Sequence, residues 1–224
     1  MGQMVEFKSN GGTCEGYLAT PDSSGPGVIV LQEWWGLVDH IKEVCDRFAA
    51  EGFCALAPVL YHGDMTTSPD DAGKLMMALN ISETAKDMAG AIEDLLSRPE
   101  TNGGKVGTVG FCMGGQLSLY AACASPGQVG ACVMYYGVHP DVHPDMAALE
   151  APFVGYFAEK DGFVTPEVAN KLDADLKAAG KQSEVHIYPG TDHAFFNDTR
   201  TEVYDETAAN DTWDRTLALY RANL

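Results

Sequence analysis

The feature that most constrains this chain is an alternation of short apolar runs, bounded by turn residues, with longer stretches of helical period. Such alternation argues for a parallel sheet covered by helices. The buried-strand candidates are 27–31, 53–57, 106–111, 131–135, 153–157 and 184–188, each with the length and apolarity of a strand covered on both faces. Ahead of them, 5–8 and 16–19 flank the turn-rich Asn10-Gly11-Gly12 and read as an antiparallel hairpin at the sheet edge. No internal repeat or linker interrupts the pattern, so 1–224 is read as one α/β domain.

Helices fall between the strands. Ile41, Val44, Cys45, Phe48 and Ala49 follow the spacing of one helical face, and Gly52 ends that helix. Met88, Ile92, Leu95 and Leu96 stripe a second, stopped before Pro99. Thr165 and Pro166 form an N-cap and first-turn pair opening a helix that runs to Gly180, and Trp213, Leu217 and Tyr220 stripe a last one over about 204–223.

With 224 residues, 46% of them hydrophobic and 21% charged, the chain can bury roughly 70 to 75% of its unfolded surface without a disulfide or metal. The formal charge of −18 is scattered rather than blocked, which suits a solvated surface and argues against a nucleic-acid partner. Several of the six cysteines sit inside apolar helix or strand patterns, as small core residues do. With no C-x-x-C pair, no signal-like N-terminus and no apolar run approaching the ~20 residues of a membrane span, the expectation is reduced thiols in a cytoplasmic protein.

The sharpest local signal is Gly110-Phe111-Cys112-Met113-Gly114, between the strand 106–111 and a helix over 115–124. This is the form of a nucleophile elbow with cysteine in place of serine, where small residues two before and two after the nucleophile let a strand turn sharply into a helix. The turn aims Cys112 from a helix N-terminus, whose dipole and free N–H groups favour a thiolate.

A thiolate elbow needs a base, and His193, in the loop just past the last strand, is the best placed histidine, with His62 and His139 as alternatives. The orienting acid is expected between nucleophile and histidine, and Asp161 follows the strand 153–157; Glu159 competes with it and Asp192 less so. An oxyanion hole would take the N–H of Met113 and an N–H in the loop Gln32-Glu33-Trp34-Trp35-Gly36, with Trp34 the candidate. Glu33 is then a carboxylate near the thiol, or a charge placed for the following helix.

These segments, together with Tyr135-Tyr136-Gly137, Gly115 and the His193-Ala194-Phe195 loop, resemble the dienelactone hydrolase (carboxymethylenebutenolidase) family over essentially the whole length. The resemblance implies an α/β-hydrolase fold and a Cys112, His193, Asp161 triad, with Glu33 helping to generate the thiolate. It also implies a pocket walled by Trp35, Tyr61, Tyr136 and Phe163, with Phe195 beside the histidine, and a thioester intermediate on a small lactone or ester. It implies no metal or organic cofactor; the expected assembly is a monomer or small homo-oligomer, with no membrane partner.

The chain departs from that family in one respect. The well-known dienelactone enzymes grip a substrate carboxylate with arginines, one after the second main strand and one four residues past the histidine, whereas 61–80 holds no arginine here and Asn197 stands at the second place. Arg200 is near enough to substitute, with Asp198 expected to occupy its charge, and Lys74 is a further cation. Competing readings are a carboxylesterase or thioesterase on neutral acyl groups and, from another class, a redox-sensing thiol protein.

Overall fold

The structure, a computed structural model, describes residues 1–224. Its centre is an eight-stranded sheet in the order β1-β2-β4-β3-β5-β6-β7-β8. The strands are β1 (Gln3–Ser9), β2 (Gly12–Ala19), β3 (Gly25–Leu31), β4 (Cys54–Pro58), β5 (Thr101–Phe111), β6 (Val129–Tyr135), β7 (Phe153–Ala158) and β8 (Ser183–Tyr188). From β4 to β8 across the sheet every pair is parallel, while β2 runs antiparallel to both β1 and β4. Asn10 (φ 50°) and Gly11 (φ 77°) close the edge hairpin, both in the left-handed conformation that a two-residue turn matched to strand twist requires.

Helices α1 (Asp39–Ala50) and α6 (Glu206–Asn223) cover one face. Phe48, Trp213, Leu217 and Tyr220 join Val28, Val109 and Val133 there in one apolar cluster. The opposite face is covered by α3 (Ile81–Ser97), α4 (Met113–Ala124) and α5 (Pro166–Ala178), with Ile92, Leu95, Leu117 and Leu176 meeting Ile29, Leu56 and Met134. Two-sided burial explains why β3, β6 and β7 read as unbroken apolar runs instead of alternating. None of the helices is long and apolar enough to cross a membrane.

Two expectations need correction, and one helix was not expected. The run 184–188 is not covered on both faces: β8 is the sheet's far edge, with Glu184 exposed and the other residues half-buried. β5 begins at Thr101, not at Val106, because Thr101 and Asn102 pair with Gly25 and Pro26 before a register shift. Helix α2 (Pro69–Ala78) has no counterpart in the sequence reading, since Ala72 is its one fully buried residue and no continuous apolar face marks it. Ser68, whose hydroxyl accepts from the Asp71 N–H, and Pro69 at its first turn were the available signals.

Candidate active site

The six parallel strands all end on one side of the sheet, and the loops after β3, β5, β6, β7 and β8 converge there, where open parallel sheets place their ligands. Cys112 sits at the turn from β5 into α4 with φ 53° and ψ −120°, a conformation that costs on the order of 1–3 kcal/mol for a residue with a side chain. Surrounding hydrogen bonds hold it. The Cys112 N–H donates to Tyr135 O (3.1 Å), and Cys112 O accepts from Gly115 N (2.9 Å) and Val138 N (3.2 Å). The flanking glycines are obligatory for contact reasons: a Cβ on Gly110 would lie 1.9 Å from Gly114 O, and one on Gly114 would lie 2.3 Å from Leu31 O.

Across from the sulfur, the loop after β8 carries His193, whose Nδ1 donates to Asp161 Oδ2 at 2.6 Å. The carboxylate is wholly buried, and its other oxygen accepts from the Phe163 N–H (2.7 Å) and the Val164 N–H (2.9 Å), so the turn after β7 aims it at the imidazole. Tyr136 and Phe163 flank the ring at centroid distances of 4.9 and 5.1 Å. Burial alone would lower the His193 pKa, but hydrogen bonding to Asp161 and to Cys112 and the negative charge on both outweigh it, pushing it up to about 10.

The competing side chains are committed elsewhere. Glu159 accepts from the Gly190 N–H (2.7 Å) and braces the loop from outside. His139 accepts from the Asp141 N–H at Nδ1 and donates from Nε2 to Met76 O (3.1 Å), tying down the end of α2. His62 lies against Asp87, away from Cys112.

Cys112, His193, Glu33, Trp34, Trp35 and Phe163 all line one small cavity of about 100 Å³, completed by Met76, Val138, Ala194 and Arg200. Its walls are mostly apolar, with a few polar groups converging on it. Glu33 is buried, and its Oε2 accepts from Asn197 Nδ2 (2.8 Å). Asn197 is thus a positioning residue that sequence reasoning noted only as a missing arginine. Tyr136 reaches the His193 ring from behind, and burial, then the charges of Glu33 and Cys112, hold its phenol well above the usual range. The Trp34 N–H has no backbone acceptor, and Met113 is the first residue of α4, where N–H groups lack intrahelical partners.

Several expected wall residues stand elsewhere. Tyr61 is buried, its hydroxyl 3.1 Å from Met113 Sδ, and it supports the elbow from below without lining the cavity. Phe195 is a fully buried core residue packed on Tyr136 and Tyr188. Arg200 does reach the cavity, but its charge is paired with Glu202 (2.8 Å) and not with Asp198, which faces His40 Nδ1 (3.3 Å). Lys74 pairs with Asp71 on α2. Met76 was missed along with α2 itself.

The sequence profile of the dienelactone hydrolase family matches residues 14–224. The chain belongs to the dienelactone hydrolase family. It is 43% identical, over 232 aligned residues and the full length of both chains, to the protein usf of Aquifex pyrophilus. To an Aquifex aeolicus protein provisionally named carboxymethylenebutenolidase it is 37% identical, again over the full length of both. Among solved structures, a provisionally assigned dienelactone hydrolase of Klebsiella pneumoniae superposes with a TM-score of 0.86, at 29% identity and 99% coverage of each chain. A dienelactone hydrolase-like promiscuous phosphotriesterase from metagenomic libraries also gives 0.86, at 22% identity over 100% of this chain and 98% of that one, a likeness of fold.

Proposed function

We propose that this dienelactone hydrolase family member opens small carboxylic esters or lactones with Cys112 as nucleophile, His193 as acid and base, and Asp161 as the group that orients His193. The observation that carries the reading is the strained Cys112 at the mouth of α4, in one cavity with a histidine held at 2.6 Å by a buried carboxylate. His193, raised by its hydrogen bonds to Asp161 and Cys112, takes the thiol proton at Nε2 and leaves the sulfur as the attacking thiolate.

The Cys112 sulfur attacks the carbonyl carbon, and the carbonyl electron pair moves onto oxygen, toward the N–H groups of Met113 and Trp34. Collapse breaks the carbon–oxygen ester bond, and the His193 Nε2 proton goes to the departing alkoxide, leaving an acyl thioester. Acylation neutralises the sulfur. The thiolate's contribution to the raised His193 pKa then vanishes, so the ring becomes able to take a proton from water. The resulting hydroxide adds to the thioester and expels Cys112 as thiolate, giving the carboxylic acid product. Glu33, fixed by Asn197, lines the same cavity as Cys112, and its role in this reading is to help generate the thiolate when substrate enters.

A neutral acyl substrate is favoured over an anionic lactone by one observation: the cavity's arginine, Arg200, is already paired with Glu202. Hydrolysis of a dienelactone should be compared with that of a neutral aryl ester of similar size, each with a Cys112→Ala control. Activity on both that persists in the alanine variant refutes the mechanism, and a strong preference for the dienelactone refutes the neutral-substrate reading.

A further inference from the structure

A second cluster of chemistry-bearing side chains lies outside the Cys112 cavity. Cys14 at the start of β2, His62 in the turn after β4 and Asp87 on α3 bring their donor atoms within 4.8 Å of one another. We propose that these three residues form a zinc site stapling β2, the turn after β4 and α3 together, independently of the hydrolytic reading.

The first support is the geometry between His62 and Asp87. His62 Nε2 and Asp87 Oδ2 are 3.2 Å apart, yet Asp87 Oδ2 has no hydrogen-bond partner although the residue is 2% exposed. Two polar atoms that approach without donating to one another are arranged as two ligands aimed at a common third point. A tetrahedral zinc with Zn–N and Zn–O bonds of 2.0 to 2.2 Å sets those atoms about 3.3 to 3.5 Å apart, close to the spacing already present. The sulfur edges of the same tetrahedron are about 3.6 Å, so closing the site needs inward movement on the order of 1 Å.

The second support is the shell behind the ligands. The buried Ser9 hydroxyl donates to Asp87 Oδ1, fixing the carboxylate and leaving Oδ2 for a metal. Helix α3 comes this close because Gly90 faces β1, where a Cβ would lie 2.5 Å from Lys8 O. A thiolate, an imidazole and a carboxylate are a donor set that zinc accepts and that calcium and magnesium do not favour. The His62 side chain is 58% exposed, which gives the ion an entry path and leaves the fourth position to water. Binding replaces the Cys14 thiol proton by zinc and releases that proton to solvent.

The test uses the full chain carrying Cys112→Ser, so that the active-site thiol cannot compete for metal, stripped with a chelator and titrated with zinc against a chromophoric chelator. One equivalent should bind and raise Tm as zinc is added. Cobalt in place of zinc should give the visible bands of a tetrahedral site and a near-ultraviolet thiolate charge-transfer band. Ser9→Ala should weaken zinc about 10- to 100-fold by freeing the carboxylate, and Cys14→Ser and His62→Gln should each weaken it at least as much. Because His62 is exposed, His62→Gln keeps the test decisive if Cys14→Ser fails to fold. Absence of a one-equivalent site, affinity unchanged in His62→Gln, or a cobalt spectrum without the thiolate band would overturn the proposal.

Discussion

Asp161→Asn isolates the charge on the orienting acid with little structural disturbance. Asn has the same shape, and its amide oxygen can still accept from the Phe163 and Val164 N–H groups that now bind Oδ1. What changes is the atom facing His193 Nδ1 at 2.6 Å: an NH₂ donor replaces a carboxylate acceptor. Loss of one charge-assisted hydrogen bond, ~1.5 to 3 kcal/mol, corresponds to about 10- to 150-fold in rate. The donor also forces the imidazole proton onto Nε2, the wrong tautomer to accept a proton from water, and in the serine proteases that error costs ~10⁴-fold. The expected fall in kcat/KM for a p-nitrophenyl ester is therefore between about 10² and 10⁴. Because Asp161 helps to push His193 up to about 10, the alkaline limb of the pH profile should also move to lower pH in the variant. A variant within about threefold of the wild type, with its alkaline limb unmoved, would refute the assignment of Asp161.

Other perturbations probe other parts of the site. Arg200→Ala should leave KM for a neutral ester nearly unchanged, since its guanidinium is committed to Glu202, and a selective rise in KM for an anionic lactone would show that the pair opens for substrate. Gly114→Ala places a methyl 2.3 Å from Leu31 O; overpacking of about 1–3 kcal/mol should lower Tm by roughly 2–12 °C, read by calorimetry. His193 has a folded-state pKa of about 10 against an ordinary 6.5, so its stabilising contribution is complete below about pH 6.5 and is lost as pH rises through about 10. Urea unfolding should show that loss in the wild type and a smaller one in Asp161→Asn. Asn197→Ala leaves the buried Glu33 carboxylate without its donor and should lower activity while a conservative Asn197→Gln restores part of it.

Local patterns made most of the architecture legible. Runs such as Val28 to Leu31 and Val129 to Tyr135 are apolar at every position because helices cover both faces, and the elbow announced itself through glycines whose absence of a side chain is a contact requirement. Helix α2 escaped because a helix with one fully buried residue carries almost no periodic signal, and Met76 escaped with it. β8 misled for the opposite reason: Val185, Ile187 and Tyr188 are apolar enough for a covered strand, yet nothing in a local pattern says which strand ends the sheet. Side-chain pairings across long separations were the least legible. The choice of Glu202 over Asp198 by Arg200, the Asn197 bond to Glu33 and the meeting of Cys14, His62 and Asp87 all depend on how loops far apart in sequence converge.

The central claim is a covalent one and is tested most directly by trapping the acyl group. Quenching the enzyme in acid within the first turnover of an activated ester, then mapping the peptides by mass spectrometry, should find one acyl group per chain, on Cys112 and removable by hydroxylamine. An unmodified Cys112 during steady turnover, or an acyl group carried by another residue, would contradict the account.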